Sequence, residues 1–229
     1  MQTTTIHLVR HGKVENPEHV IYERLPDYHL SERGERMAEA TAQYMAANRH
    51  MSDAVALFSS PLDRTMETAA HVRDALNERR AAAEVAGNGE QGETLSLLGI
   101  TQDERLIEAG NEFRGRRIGY GAGALWRPSN LRLLLRPMKP SWGESYASIA
   151  ERMTDFAFEK ADEFAGKAII VVSHESPIWT LRTKLVTGKA ESNVLKRKTA
   201  LASVTSLVLE VGTHKLVAVS YMDPAANVE

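Results

Sequence analysis

Ile6-His7-Leu8-Val9-Arg10-His11-Gly12 is the stretch from which the fold can be read. Ile6–Val9 is a short apolar run that stops at a basic pair and a glycine, the pattern of a buried strand handing Arg10 and His11 to the loop at its carboxyl end. Two other stretches repeat the device. Ala54–Phe58 reads as a buried strand running into Ser59-Ser60-Pro61, where Ser60 suits a helix N-cap and Pro61 the first helical position, with Arg64 in the first turn. Ala168–Val172 is fully apolar and is followed by Ser173-His174. Ser176-Pro177 then repeats the cap-and-proline signature and opens a helix towards Gly188.

Between these strands the periodicity changes to helical. Ser31 can cap a helix through about His50, with Met37, Tyr44 and Ala47 near one face. Leu62, Met66, Ala69, Val72 and Leu76 form an apolar stripe at helical spacing, and a helix from near Glu144 carries Ile149, Met153 and Phe156 inward. Ser203–Val211 and Lys215–Tyr221 read as two strands joined around Gly212-Thr213. Strands alternating with helices predict one α/β domain over residues 1–229, a three-layer α/β/α sandwich with a mostly parallel sheet. Two stretches break the pattern. Ala81–Gly99 is rich in Ala and Gly and reads as a surface excursion. Gly110–Trp142 is rich in Gly, Arg and Pro and reads as a lid or arm inserted around residues 110–143.

Composition narrows the function. The 229 residues are 43% hydrophobic and 25% charged, enough to bury one sizeable core, which excludes disorder as the main state. Lys and Arg number 28 against 30 Asp and Glu, so the chain as a whole is not built to bind a polyanion. No run approaches the roughly 18 apolar residues of a membrane span, and Met1–Thr5 lacks the features of a secretory leader. A cytoplasmic protein without a membrane partner is expected. With no cysteine there is no disulfide, thiolate metal site or thiol nucleophile, and no His-Glu-x-x-His pattern suggests a metal. Gly87-Asn88-Gly89-Glu90-Gln91-Gly92 spells the dinucleotide fingerprint but follows the charged helical stretch Asn77–Ala86 instead of a strand. Gly119–Gly123 fails the same test. Arg114–Lys139 holds seven basic and no acidic residues, but lacks the interleaved aromatics of a nucleic-acid surface. Its cations are expected either to pair with acidic helices of the same domain or to cover the site and recognise a second anionic group. The sequence carries no signal of oligomeric state.

The chemistry gathers at strand ends. In open α/β sheets, ligands bind beyond the carboxyl ends of the strands, and here three such ends deliver Arg10, His11, Arg64 and His174 to one edge. A cation in a helix's first turn opposes the macrodipole, so Arg64 makes sense where an anion also sits at that helix N-terminus. Guanidinium forks match phosphate oxygens, and nearby cations keep a histidine neutral. Such a His11 could attack phosphorus in line while Arg10, Arg64 and His174 hold the equatorial oxygens. A proton donor for the leaving oxygen is also needed, and spacing leaves Asp103, Glu104, Glu108 and Glu112 open.

Leu8-Val9-Arg10-His11-Gly12, Asn16, Ser59-Ser60-Pro61-Leu62-Asp63-Arg64 with Thr65, Thr68 and Ala69, and Val172-Ser173-His174, in this order, resemble the histidine phosphatase superfamily, also called phosphoglycerate mutase-like. The resemblance runs from about residue 5 to 221. It implies a phosphohistidine on His11, a phosphate pocket from Arg10, Arg64 and His174, and Asn16 as a hydrogen-bonding neighbour. Through Leu106-Ile107-Glu108 ahead of Gly110 it further implies Glu108 as the acid. It places Glu23 and Arg24 where relatives contact substrate, although the residue types differ from the usual ones. Val14 stands where relatives carry a hydroxyl. Glu175 stands where they commonly have glycine, so its side chain is expected to point away from phosphate while its backbone N–H donates. Neither the Arg-Arg-Ser-Tyr-type nor the Tyr-Gly-x-Leu segment of the mutases is present. The expected activity is therefore a metal-independent, acid phosphatase-type phosphomonoesterase, without metal or organic cofactor, acting on a small phosphorylated metabolite or another phosphomonoester. The alternatives are a mutase-type phosphotransferase and a non-catalytic phosphate-binding regulatory module.

Overall fold

The computed structural model describes residues 1–85, 95–117, 127–128, 143–190 and 197–229. In chain order its elements are β1 (Thr3–Arg10), α1 (Glu32–Ala47), a one-turn α2 (Arg49–Ser52), β2 (Ala56–Ser59) and α3 (Asp63–Val85). Then come β3 (Ile100–Gln102), a 3-10 turn (Glu104–Leu106), α4 (Tyr146–Glu163), β4 (Ala168–Ser173), α5 (Glu175–Thr187), β5 (Val204–Glu210) and β6 (Leu216–Met222). The strands form one sheet in the order β3-β2-β4-β1-β5-β6. β3, β2, β4 and β1 run parallel, and the β5–β6 hairpin adds antiparallel to β1.

Strands at the middle of such a sheet are covered on both faces, which is why β1 and β4 read as near-continuous apolar runs. Ile6, Leu8, Ile169 and Val171 pack against Ile149, Met153 and Phe156 of α4 and Ile178 and Leu181 of α5. The alternate residues Val9, Ile170 and Val172 face Met45 of α1 and Val72 and Leu76 of α3. Each buried aliphatic side chain contributes about 1.5–3 kcal/mol, so these two layers fix the register of β1 against β4. His7 fits this core because both ring nitrogens are satisfied, Nδ1 by Ser206 Oγ at 2.8 Å and Nε2 by the His50 carbonyl at 3.2 Å. The three-layer, mostly parallel fold class is as the sequence implied.

Several boundaries differ from the sequence reading, each for a local reason. The first helix stops at Ala47 because Asn48 turns extended and its side chain accepts from the His50 N–H, restarting the chain as α2. Its buried face is Met37, Ala42 and Met45, while Tyr44 is half-buried and Ala47 exposed. Ser60 does not cap α3, which starts at Asp63; its hydroxyl is used elsewhere, as described below. The last long helix starts at Glu175 with His174 as its N-cap, two residues before the cap-and-proline signature. Pro177 is tolerated there because first-turn N–H groups have no intrahelical acceptor. The edge strand β3 has only Ile100 partly buried, so no apolar run announced it. Of the proposed arm, the described part joins the loop after β1: Gly115 N–H donates to Ile21 O at 2.8 Å and Ile21 N–H to Arg116 O at 3.0 Å. Arg132, Arg136, Lys139, Gly119–Gly123 and the Gly87–Gly92 fingerprint lie outside the described residues.

The loop carrying His11 is pressed against the start of α1. A Cβ on Gly34 would lie 1.9 Å from the Lys13 carbonyl oxygen, and one on Gly12 would lie 2.5 Å from the Gly34 oxygen. Glycine to alanine inside a helix normally stabilises by roughly 0.5–1 kcal/mol. Gly34→Ala is expected to do the opposite, destabilising by about 1–3 kcal/mol as the loop is forced away. Denaturant midpoints measure this directly, and a stabilised variant would contradict the close packing.

Candidate active site

The carboxyl ends of β1 and β4 are side by side in register, Arg10 opposite Ser173. His11 leaves the strand but its backbone stays pinned. Its N–H donates to Ser173 O at 3.1 Å, its carbonyl accepts from Ala202 N–H at 3.2 Å, and the next N–H, of Gly12, donates to Thr68 Oγ1 at 3.2 Å. The His11 ring is buried, with Nδ1 2.7 Å from the Gly12 carbonyl oxygen. A carbonyl can only accept, so Nδ1 carries the proton and Nε2 keeps its lone pair. His174 lies edge-on to this ring, centroids 5.1 Å apart. Arg64 Nη2 lies 3.3 Å from His174 Nδ1, and a guanidinium can only donate, so the proton is on Nε2, which meets Ser60 Oγ at 2.8 Å. Both histidines are held well below 6.5, first by burial and then by the charge of Arg64.

Arg64 is almost inaccessible, 1% exposed. Nη2 also donates to the Glu23 carbonyl, and the guanidinium lies over the Tyr22 ring, 4.9 Å from its centroid. Among the described residues its Nε and Nη1 have no hydrogen-bond partner, nor does Nε of Arg10. Buried guanidinium N–H groups without acceptors are costly, and an oxyanion is the ligand that satisfies them. Arg10 is anchored through Nη1 to the Thr199 carbonyl at 2.5 Å.

Glu108 comes from the loop after the 3-10 turn and lines, with Arg10 and His11, a cavity of about 240 Å³. The other lining residues include Tyr22, Glu23, Glu175, Ser176 and Arg197. Burial raises the Glu108 carboxyl above its ordinary value, against the Ala109 N–H at 2.8 Å and the charges of Arg64 and Arg10. Of the other open choices, Asp103 is bound by Arg105 in a salt bridge of 2.6 Å. Neither Asp103, Glu104 nor Glu112 lines the cavity.

The remaining sequence-derived residues divide. Asn16 spends its amide locally, Nδ2 on Val20 O at 2.9 Å and Oδ1 on Val20 N–H at 3.1 Å, shaping the loop that lines the cavity. Glu23 lines the cavity, with Oε1 accepting from Asn111 Nδ2 at 2.8 Å. Arg24 does not line it; its Nε donates to the Glu108 carbonyl at 2.6 Å, behind the carboxyl. Glu175 corrects an expectation: its side chain turns into the cavity and meets Arg10 Nη2 at 3.5 Å, the guanidinium offsetting the repulsion that was expected to drive it away. Ser60, Tyr22, Thr199 and Arg197 were not singled out as site residues. Ser60 had been assigned to a helix cap, and the other three lie in irregular segments without periodicity.

Paired imidazoles and guanidiniums at strand ends are the arrangement of a phosphoryl-handling α/β protein. The family profile of the histidine phosphatase superfamily, branch 1, matches residues 6–221, and the chain belongs to that superfamily. It is 40% identical over 226 residues to an uncharacterized protein of Mycobacterium tuberculosis, covering 98% of each. It is 27% identical over 173 residues to phosphoserine phosphatase 1 of Hydrogenobacter thermophilus, covering 75% of this chain and 71% of that one. In fold it is similar to a phosphoserine phosphatase of Entamoeba histolytica solved with 3-phosphoglyceric acid, with a TM-score of 0.69 at 18% identity, covering 97% and 99% of the two chains.

The two buried imidazoles make stability depend on pH. Their folded values lie below 6.5, so the unfolded chain takes up protons first as pH falls, and stability falls with it. His29, raised by its hydrogen bond to Glu67, works in the opposite sense. A His11→Gln variant separates the two: its thermal midpoint should fall less steeply than that of the parent below about pH 6.5. Equal slopes would mean that His11 is not held neutral.

Proposed function

We propose that the protein is a phosphomonoester hydrolase that works through a phosphohistidine on His11. The observation that carries this reading is that, among the described residues, an unprotonated His11 Nε2, an Arg10 Nε without an acceptor and a half-buried Glu108 carboxyl of raised pKa share one cavity. Arg64, with two nitrogens likewise lacking acceptors, reaches His174, whose ring meets that of His11 edge-on. Nε2 attacks phosphorus, the bond from phosphorus to the ester oxygen breaks, and Glu108 gives its proton to the leaving alcohol. Arg10 and Arg64 hold the transferring oxygens. The approaching dianion also reverses the local charge, which favours a protonated His174 as a third holder. Water then attacks the phosphohistidine, Glu108 takes its proton, the P–N bond breaks, and phosphate leaves with His11 restored. No step requires a metal or an organic cofactor, so activity is expected to survive strong chelation.

Hydrolysis is favoured over mutase chemistry because the chain lacks the segments with which mutases retain a bisphosphorylated intermediate. The substrate class is a small phosphorylated metabolite. O-phosphoserine and 3-phosphoglycerate are the first to try, given the names of the phosphatases it resembles.

Incubation with labelled phosphodonor and a quench in alkaline detergent should trap an acid-labile, alkali-stable label that His11→Ala abolishes. A protein that binds phosphate without reacting would show no label, and a mutase would pass the label to a second hydroxyl faster than to water. Glu108→Gln should slow alkyl phosphate hydrolysis by roughly 10²–10⁴-fold. Glu175→Gln removes a carboxylate that competes with phosphate for Arg10, so inorganic phosphate should inhibit the variant several-fold more tightly. Weaker inhibition would show that Glu175 supports the anion site.

A further inference from the structure

We propose that Arg24, held by Glu144 and Arg152, is a positioning residue for the proton donor Glu108 and not a substrate ligand. The inference rests on the reading of Glu108 as that donor. His11 and His174 sit at the ends of buried strands, whereas Glu108 lies on an irregular segment between the 3-10 turn and Gly110. No ladder fixes such a segment, so its carbonyls must be held by something else.

Side chains from elsewhere hold them one after another. Ser173 Oγ donates to Leu106 O at 2.7 Å, Arg152 Nη1 to Arg105 O at 2.5 Å, and Arg24 Nε to Glu108 O at 2.6 Å. The Glu144 N–H donates to Gly110 O at 3.1 Å. Two of these donors share one carboxylate: Glu144 accepts from Arg24 Nη2 at 2.6 Å and from Arg152 Nε at 2.8 Å. The Arg24 guanidinium also lies where a Cβ on Gly110 would touch it, 3.6 Å from Cζ. Gly143 packs against the same peptide, since a Cβ there would meet the Gly110 oxygen at 2.2 Å. Burial alone would raise the Glu144 carboxyl, but the hydrogen bond from Arg152 and the two guanidinium charges hold it below its ordinary value, so it stays ionised.

The Arg24–Glu144–Arg152 clamp thus grips the loop behind the acid, with the Glu108 carbonyl drawn to Arg24 and its carboxyl facing the cavity. A merely structural clamp would affect all substrates alike. A clamp that aims the proton donor matters most where the leaving oxygen needs a proton.

The test compares an alkyl phosphate, whose alkoxide leaves poorly, with para-nitrophenyl phosphate, whose phenolate leaves without help. Arg24→Met, Arg24→Lys and Glu144→Gln are assayed beside Glu108→Gln, with folding checked by circular dichroism. In Arg24→Met, kcat/KM, which reports transfer to His11 before water attacks, should fall roughly tenfold to a hundredfold for the alkyl ester, with less than about a threefold change for the aryl ester. Arg24→Lys, which keeps a donor, should recover part of the loss. If Arg24→Met does not fold, Arg24→Lys and Glu144→Gln carry the comparison, each with a smaller but equally selective loss. Equal losses of kcat/KM on both esters in the folded variants, or no loss, would overturn the proposal. If Glu108→Gln itself lacks the selectivity, the assignment of the acid fails, and this inference with it. Selectivity in Glu108→Gln but not in the clamp variants overturns the clamp alone.

Discussion

A buried positive charge governs this site. Arg64 lies in the first turn of α3, almost inaccessible, hydrogen-bonded to a neutral imidazole and a carbonyl and covered by the face of Tyr22. Removing a charge from water costs several kcal/mol unless a partner is found, and two of its N–H-bearing nitrogens have none among the described residues. The surroundings follow from that one placement. It joins burial in keeping His11 and His174 unprotonated, and it is one of the charges that moderate the rise in the Glu108 value. Two neutral imidazoles and a cation with unused N–H groups are thus held together at the strand ends.

Much of this was legible in the sequence because His11 and the cationic side chains around it sit where two regular patterns break. A buried strand must end, and polar residues immediately after an apolar run have few places to go except the sheet edge. That logic located Arg10, His11 and His174, and the macrodipole argument located Arg64. It failed where a residue's hydrogen bond could be spent in two ways. Ser60 has the chemistry of a helix cap, yet its hydroxyl meets His174, because α3 begins three residues later. His174, in turn, occupies the cap position that local sequence awarded to Ser176. Tertiary partners decided both cases, and no local pattern could have shown it.

The irregular segments were harder to read for a related reason. Glu108 could be chosen among four carboxylates only by resemblance, since spacing does not say which carboxyl faces the cavity. Resemblance places Arg24 near a substrate, but its guanidinium is engaged by the Glu108 carbonyl and the Glu144 carboxylate. Glu175 was expected to avoid the pocket on grounds of repulsion, and the nearby Arg10 reverses that balance. Charges interact over distances that sequence order does not encode. The strand ends therefore supplied the part of the site that could be read, and the loops the part that had to be seen.

The position of β1 has a bearing on how the polypeptide is made. It precedes the other strands of the sheet in sequence, yet its neighbours are β4, where Arg10 meets Ser173, and β5, where Thr3 meets Glu210. Both pairings join segments more than about 150 residues apart, so the strand that leads into His11 must wait for the residues between them. During that interval Ile6, Leu8 and Val9 have no sheet to enter. A chain in synthesis thus carries this apolar segment unpaired until β4 and β5 have followed it, a natural point of engagement for chaperones.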